Sequence, residues 1–144
     1  MTEPSDTTRV ARALGDQLYR ILRPDENPQG IVAKNPSARK SVRSHVICGS
    51  RQNYRSQFIS TSASLDVARR YKTRGEADGL TGLRICEFDV NRLRQLNCLF
   101  FDLTEKANRE RYLGSAVLAK NFARASEEVI VQCDVPIPCQ VVAA

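Results

Sequence analysis

Three short stretches of the chain carry residues whose types invite chemistry. Arg20 stands inside an apolar run, Leu18-Tyr19-Arg20-Ile21-Leu22, that Pro24 soon ends. Phe58-Ile59-Ser60-Thr61-Ser62 sets three hydroxyls in a row, and Ser126-Glu127-Glu128-Val129-Ile130-Val131 brings carboxylates up to a β-branched run. A guanidinium presents a rigid fork of donors that suits phosphate or carboxylate oxygens. Hydroxyls both donate and accept. A carboxylate beside a developing positive charge contributes more in a transition state than in a ground state. Each stretch alone has an ordinary reading too. A strand arginine is commonly an ion-pair partner, Ser-Thr-Ser a capping cluster, and a glutamate at a strand entrance a solvated charge.

Other familiar constellations are missing from the sequence. His45 is the single histidine and has no H-E-x-x-H or H-x-x-x-H partner, so no metal role is expected. There is no G-x-S-x-G elbow, no G-x-x-x-x-G-K-[ST] phosphate loop and no G-x-G-x-x-G after a strand.

The elements that must position these residues follow from length and pattern. A chain of 144 residues with 42% hydrophobic and 26% charged residues suits one domain with a real core, not a disordered chain. No stretch approaches 18 apolar residues, so no membrane partner is expected. Residues 1–16 lack the apolar run of a secretory signal, which points to an intracellular location, cytoplasmic or nuclear. Five cysteines, an odd number with no C-x-x-C, argue against a disulfide framework or a zinc site and for a reducing compartment. Cys86 and Cys133 read as small core residues. The one pair considered for a bridge is Cys133 with Cys139, which flank Asp-Val-Pro-Ile-Pro.

The net charge is +6, and the excess is local: from Ser37 to Arg74 nine basic residues face only Asp66, giving +8. Such a segment suits a dinucleotide's phosphates, a nucleic acid or an acidic protein, and equally a solvated basic face.

Along the chain, residues 1–16 form an N-terminal extension, frayed to Thr7 and then a short helix through Val10, Ala13 and Leu14; residues 17–144 form a single domain. Strands are expected at Leu18–Leu22, Gln57–Thr61, Leu83–Val90 and Glu128–Cys133, Cys98–Leu103 is another apolar run, and Ile137–Val142 is an edge strand at best. Ser37 and Ser64 read as N-caps, the second opening a helix with the stripe Leu65, Ala68, Tyr71. Gly75, Gly79 and Gly82 read as a flexible connection. Thr104 reads as the cap of a charged helix that breaks near Gly114 and resumes to Ala125. The class is α+β.

An arginine on an early strand, Ser-Thr-Ser on a middle strand before an Ala-x-x-Tyr helix, and a glutamate before valine on a late strand together resemble the ADP-ribosyltransferases. The likeness is to the arginine–serine–glutamate, cholera-toxin-like branch, over Leu18 to Cys133. It implies split antiparallel sheets with flanking helices and a central NAD cleft, with NAD as co-substrate and no metal. Arg20 would hold the diphosphate or the nearby ribose. Ser60 would buttress the nicotinamide ribose and set the glutamate, supported by Thr61 and Ser62. Glu128 would be catalytic, the Ile21 backbone would bind the nicotinamide amide, and Phe58 and Tyr54 would flank the ring. Arginine-modifying members carry glutamate two residues before the catalytic one; here that acceptor-binding position is Ser126, so arginine is not the preferred acceptor. Glu127 for Glu128, and Arg23 for Arg20, are the alternative registrations.

The implied activity is mono-ADP-ribosyl transfer by a monomer to a nucleic acid (DNA or RNA) or a protein side chain, engaged through the basic 37–74 segment. Transfer to water, or binding of NAD or ADP-ribose without chemistry, is the alternative. The chemistry is self-sufficient: breaking the nicotinamide–ribose bond develops positive charge on the ribose, as in glycoside cleavage, and nicotinamide leaves as a neutral molecule.

Overall fold

The apolar runs pair into one antiparallel sheet in a computed structural model that describes residues 16–51 and 53–142. Its strands are β1 (Gln17–Leu22), β2 (Ile59–Ser62), β3 (Arg84–Asp89), β4 (Leu99–Asp102), β5 (Glu128–Gln132) and β6 (Gln140–Val141), in spatial order β4-β5-β2-β1-β3-β6. The helices are α1 (Val42–Cys48), α2 (Leu65–Ala77), α3 (Val90–Gln95), α4 (Lys106–Leu113) and α5 (Val117–Ala125). The α+β class stands. The short helix expected at Val10–Leu14 and the frayed start lie outside the described residues.

The expected pair of separate sheets is corrected to a single six-stranded one, but its two halves meet at one point. Strands β2 and β5 pair over four residues, and β1 and β3 over six, whereas β1 and β2 share only Tyr19↔Ser62. Past that pair β1 runs on beside β3 with no partner on its β2 side, so the sheet opens into a V. Antiparallel ladders tolerate this because each half keeps its own partners.

Side chains alternate across a sheet with period two, and the two faces differ. On one face Leu18, Leu22, Ile59, Cys86, Phe88, Phe100, Val129 and Val131 form a continuous core across both halves. It is closed by Val90 and Leu93 of α3 and by Ile137 of the C-terminal strap, whose backbone exchanges two hydrogen bonds with Ile31 (2.8 and 3.0 Å). On the other face the cover is divided. Helices α1, α4 and α5 pack Val42, Leu113, Ala119 and Ala123 against Phe58 and Ile130, while α2 lies over β1 and β3.

Local chemistry sets several boundaries. Ser64 caps α2 as expected, accepting from Val67 N at 3.2 Å. The cap of α1 is Ser41, not Ser37: Ser41 Oγ accepts from Ser44 N at 3.0 Å, while Ser37 N is bound in a turn by Asn35 Oδ1. The cap of α4 is Glu105, one past the expected Thr104. Gly75 lies inside α2 instead of in a connection, and the close approach of Leu83, whose Cδ1 would be 2.9 Å from a Cβ there, favours glycine at that helical position. Gly114 separates α4 from α5 at φ +57, a conformation that disfavours any side chain.

Candidate active site

Arg20 belongs, by alternation, to the sheet face of Leu18 and Leu22, whereas Ser60, Ser62 and Glu128 belong to the opposite face. On a continuous sheet they could not meet. They meet here because the V opens directly after Tyr19: the Arg20 guanidinium reaches across it and its Nη1 donates to the Ser60 carbonyl at 2.9 Å. Its Nε and Nη2 donate to the two carboxylate oxygens of Glu26, each at 3.2 Å. Three of its five N–H donors are engaged in this way. Glu26 is 6% exposed and also accepts from the Arg23 backbone N–H at 3.0 Å. It therefore orients the guanidinium and offsets one charge.

Glu128 is the first residue of β5, opposite Ser62, and is 5% exposed. Its Oε1 is buried without a hydrogen-bond partner among the described residues. Burial raises its pKa to about 7, with a Ser60 hydrogen bond opposing the rise. A buried polar atom left unpaired is costly unless a ligand or proton supplies the missing interaction.

Sequence reasoning missed the residue behind Ser60. His45, on α1, is buried; its Nε2 lies 2.7 Å from Ser60 Oγ and its Nδ1 2.6 Å from Ser56 Oγ. Burial, then the charges of Arg20 and Lys34, lower its pKa to about 4. It is thus a neutral imidazole near pH 7, with one donor and one acceptor nitrogen. An ionised Glu128 needs Ser60 as donor, which assigns the Nε2 proton to His45 and leaves Nδ1 to accept from Ser56. Ser56 in turn accepts from the Phe58 N–H at 3.2 Å. The result is one chain of aligned donors ending on the glutamate. The only sequence signal was a lone histidine at helical spacing from Val42, which carries no such message.

Two cavities meet at this chain. The larger, about 590 Å³, is lined by Arg20, Arg23, Lys34, His45, Tyr54, Phe58, Ser60, Phe122 and Glu128 among others. The smaller, about 180 Å³, is walled by Tyr19, Ile21, Thr61, Ser62, Tyr71 and Ser126, and shares Arg20, Ser60, Phe122 and Glu128 with the larger. Lys34 is a second residue missed: its pKa is lowered by partial burial and by the charges of Arg23, Arg20 and Arg55, so cations crowd this end of the cleft. Exposed apolar side chains of Val32, Ile47, Leu118 and Phe122 line its mouth.

The remaining expected residues fall into two groups. The Ile21 backbone lies on the unpaired edge of β1 and lines the smaller cavity, with Tyr71 of the Ala-x-x-Tyr stripe across from it in the lining. Phe58 packs edge-on to His45 and Phe101, and Tyr54 bonds Ser44 Oγ at 2.6 Å. The others serve the backbone. Thr61 donates to the Val129 carbonyl (2.7 Å), Ser62 to the Ser126 carbonyl (2.8 Å), and Ser126, ending α5, to the Phe122 carbonyl (2.7 Å). Glu127 is exposed in the turn before β5 at φ +47 and lines neither cavity; Arg23 lines the larger one and pairs with Asp25. The basic 37–74 stretch is divided between α1 with its flanks and α2, which cover different halves of the sheet. Among the described residues no cluster of His, Cys, Asp and Glu is arranged to hold a metal, and no helix is long and apolar enough to cross a membrane.

No family model matches the chain, and no curated protein matches it. Among solved structures, EcPltA is similar with a TM-score of 0.55 at 19% identity, over 85% of this chain and 70% of that one. The chain therefore shares its mixed α/β architecture with that structure, and the likeness is one of fold.

Proposed function

We propose that the chain is a mono-ADP-ribosyltransferase that cleaves the nicotinamide–ribose bond of NAD and passes ADP-ribose to a nucleic acid or a protein side chain, with arginine not the preferred acceptor. The observation that carries this reading is Glu128: a buried carboxylate with an unpaired oxygen, at the wall shared by two cavities and at the end of a donor chain.

The smaller cavity suits the nicotinamide, whose amide would find the unpaired backbone edge at Ile21. The larger suits the diphosphate and the rest of the dinucleotide. Arg20, with two N–H groups to spare, and the adjoining Arg23 and Lys34 supply donors and positive charge there. As the glycosidic bond breaks, its electron pair goes to the pyridinium nitrogen, nicotinamide leaves neutral and the ribose carbon turns cationic. Glu128 stabilises that cation and accepts a hydrogen bond from a ribose hydroxyl. His45 donates to Ser60 Oγ and so keeps the Ser60 hydroxyl donating to Glu128, which favours the ionised carboxylate against its burial. The acceptor nucleophile then attacks the ribose carbon and gives up its proton to solvent. No carboxylate stands two residues before Glu128 to orient a guanidinium, which argues for an acceptor other than arginine.

Nicotinamide release from NAD tests the reading. Glu128→Gln preserves shape and removes charge; losing one preorganised electrostatic group costs roughly 10²–10³ in turnover. Equal turnover by the variant and the parent would falsify the assignment. Mass analysis of DNA, RNA and protein incubated with NAD and the parent identifies the acceptor.

A further inference from the structure

The cysteines pair differently from anything their spacing suggests. All five thiols are free in the structure. Strands β4 and β5 pair Leu99 with Gln132 and Phe100 with Val131, so the next step of the same antiparallel register sets Cys98 opposite Cys133. Directly opposed residues have Cβ atoms about 4.5–5.5 Å apart, close to what a disulfide spans. Strands β3 and β6 pair Cys86 with Val141; Cys139, two residues before Val141, is then the diagonal neighbour of Cys86 on the same face. Cys133 and Cys139 both pack against the core cluster that contains Cys98 and Cys86, and their thiols donate to the Leu96 and Pro28 carbonyls at 3.6 and 3.5 Å.

The pairs share a design. One member is buried, Cys86 at 0% and Cys98 at 3% exposure, and its partner is half-buried. The half-buried members, Cys133 and Cys139, bracket the Asp134–Pro138 strap. That strap carries the chain from β5, in one half of the sheet, to β6 at the far edge of the other. Cys48, on α1, is left over and accounts for the odd count.

We propose that Cys98 with Cys133 and Cys86 with Cys139 are two disulfide-forming sites, oxidised by exchange with a small-molecule disulfide, which clamp the strap at both ends. In each, the accessible thiolate attacks one sulfur of the small disulfide and expels a thiolate. The buried thiol then loses its proton to solvent and attacks the mixed disulfide at the protein sulfur, expelling the second thiolate. Each site loses two electrons and two protons, and one small disulfide becomes two thiols. Cys139 is suited to the first attack: its hydrogen bond from Cys86 lowers its pKa, and the same bond raises that of Cys86. Burial and the contact with Cys133 raise Cys98. The site depends in no way on the proposed enzymatic activity.

The full chain, refolded from the reduced denatured state in a buffer of reduced and oxidised glutathione, is alkylated and digested without reductant. The expected map holds two linked peptide pairs, Cys98–Cys133 and Cys86–Cys139, with Cys48 alkylated. Oxidising the already folded chain should give the same map. Reductant should then lower the melting temperature by about 5 °C or more. Cys133→Ser and Cys139→Ser should each delete one link and spare the other. Five alkylated cysteines after equilibration, a Cys133–Cys139 link, or a link to Cys48 would overturn the proposal, as would loss of both links in either variant.

Discussion

The two faces of the sheet solve opposite problems. One is apolar and continuous from Phe100 to Phe88, so it bridges the V between β1 and β2 without noticing it. The other is covered by two separate groups of helices, and the gap between them is filled by Arg20, Glu26, His45, Ser60 and Glu128. The unbroken face allows the sheet to stay open on the other: with its halves held together by buried hydrophobic area, only one β1–β2 pair is needed. The polar gap in turn concentrates titratable groups whose environments push their pKa values in opposite senses, a pattern common at functional sites.

Breaking the closed face should cost the most. Phe88→Ala removes a fully buried ring from the bridge between the halves and should destabilise the fold by about 3–5 kcal/mol in denaturant titrations. A loss below about 1 kcal/mol would show that this face does not hold the halves together.

The open face should reveal itself through pH. Glu128 has a raised pKa, about 7 when folded, so its contribution is present in acid and lost as pH rises from its unfolded value toward 7. His45 has a lowered pKa, about 4 when folded, so its contribution is present above its unfolded value of about 6.5 and lost as pH falls toward 4. Each is on the order of 3 kcal/mol, with opposite slopes between roughly pH 4.5 and 6.5. Their sum is nearly flat there. Glu128→Gln should expose a stability that climbs with pH across this window, and His45→Gln one that falls. Identical profiles for parent and both variants would remove the opposed pair. The proposed turnover should rise through about pH 7 as Glu128 ionises.

Arg20→Ala strands the Glu26 carboxylate in a 6%-exposed site and removes the donor to Ser60, for a loss of about 1–3 kcal/mol. It should also raise the KM for NAD more than it lowers kcat, whereas an unchanged KM argues against a phosphate role. The smallest effect is expected at the rim: Leu118 is 84% exposed, and Leu118→Ser should shift stability by less than about 0.5 kcal/mol. Any larger destabilisation would mean that the mouth of the cleft is part of the core.

Much of this was legible from residue order. Apolar runs locate five of the six strands, Ser64 marks a cap, Gly114 marks a break, and the order of the three polar stretches carries the family resemblance that singles out Arg20, Ser60 and Glu128. Strand β6 was legible only as an edge, because Pro136 and Pro138 interrupt its pattern. Helix α3 is not foreseen: with six residues it is too short for its periodicity to stand out, and Asp89, the last residue of β3, also caps it, so that Val90 opens the helix instead of ending the strand.

His45, Lys34, Glu26 and the cysteine pairs were not legible at all. His45 and the cysteine pairs depend on neighbours distant in sequence: Ser60 lies 15 residues from His45, and Cys139 lies 53 residues from Cys86, while Glu26 closes on Arg20 through a turn that no periodicity marks. The sequence by itself determined which residues alternate in and out of the sheet, since a side-chain period of two is a property of the local backbone. Only the tertiary structure decided that Arg20, assigned by that alternation to the wrong face, joins Ser60 and Glu128. The reason is that the distance between β1 and β2 is set by what packs beneath them, and no local pattern records where two strands part.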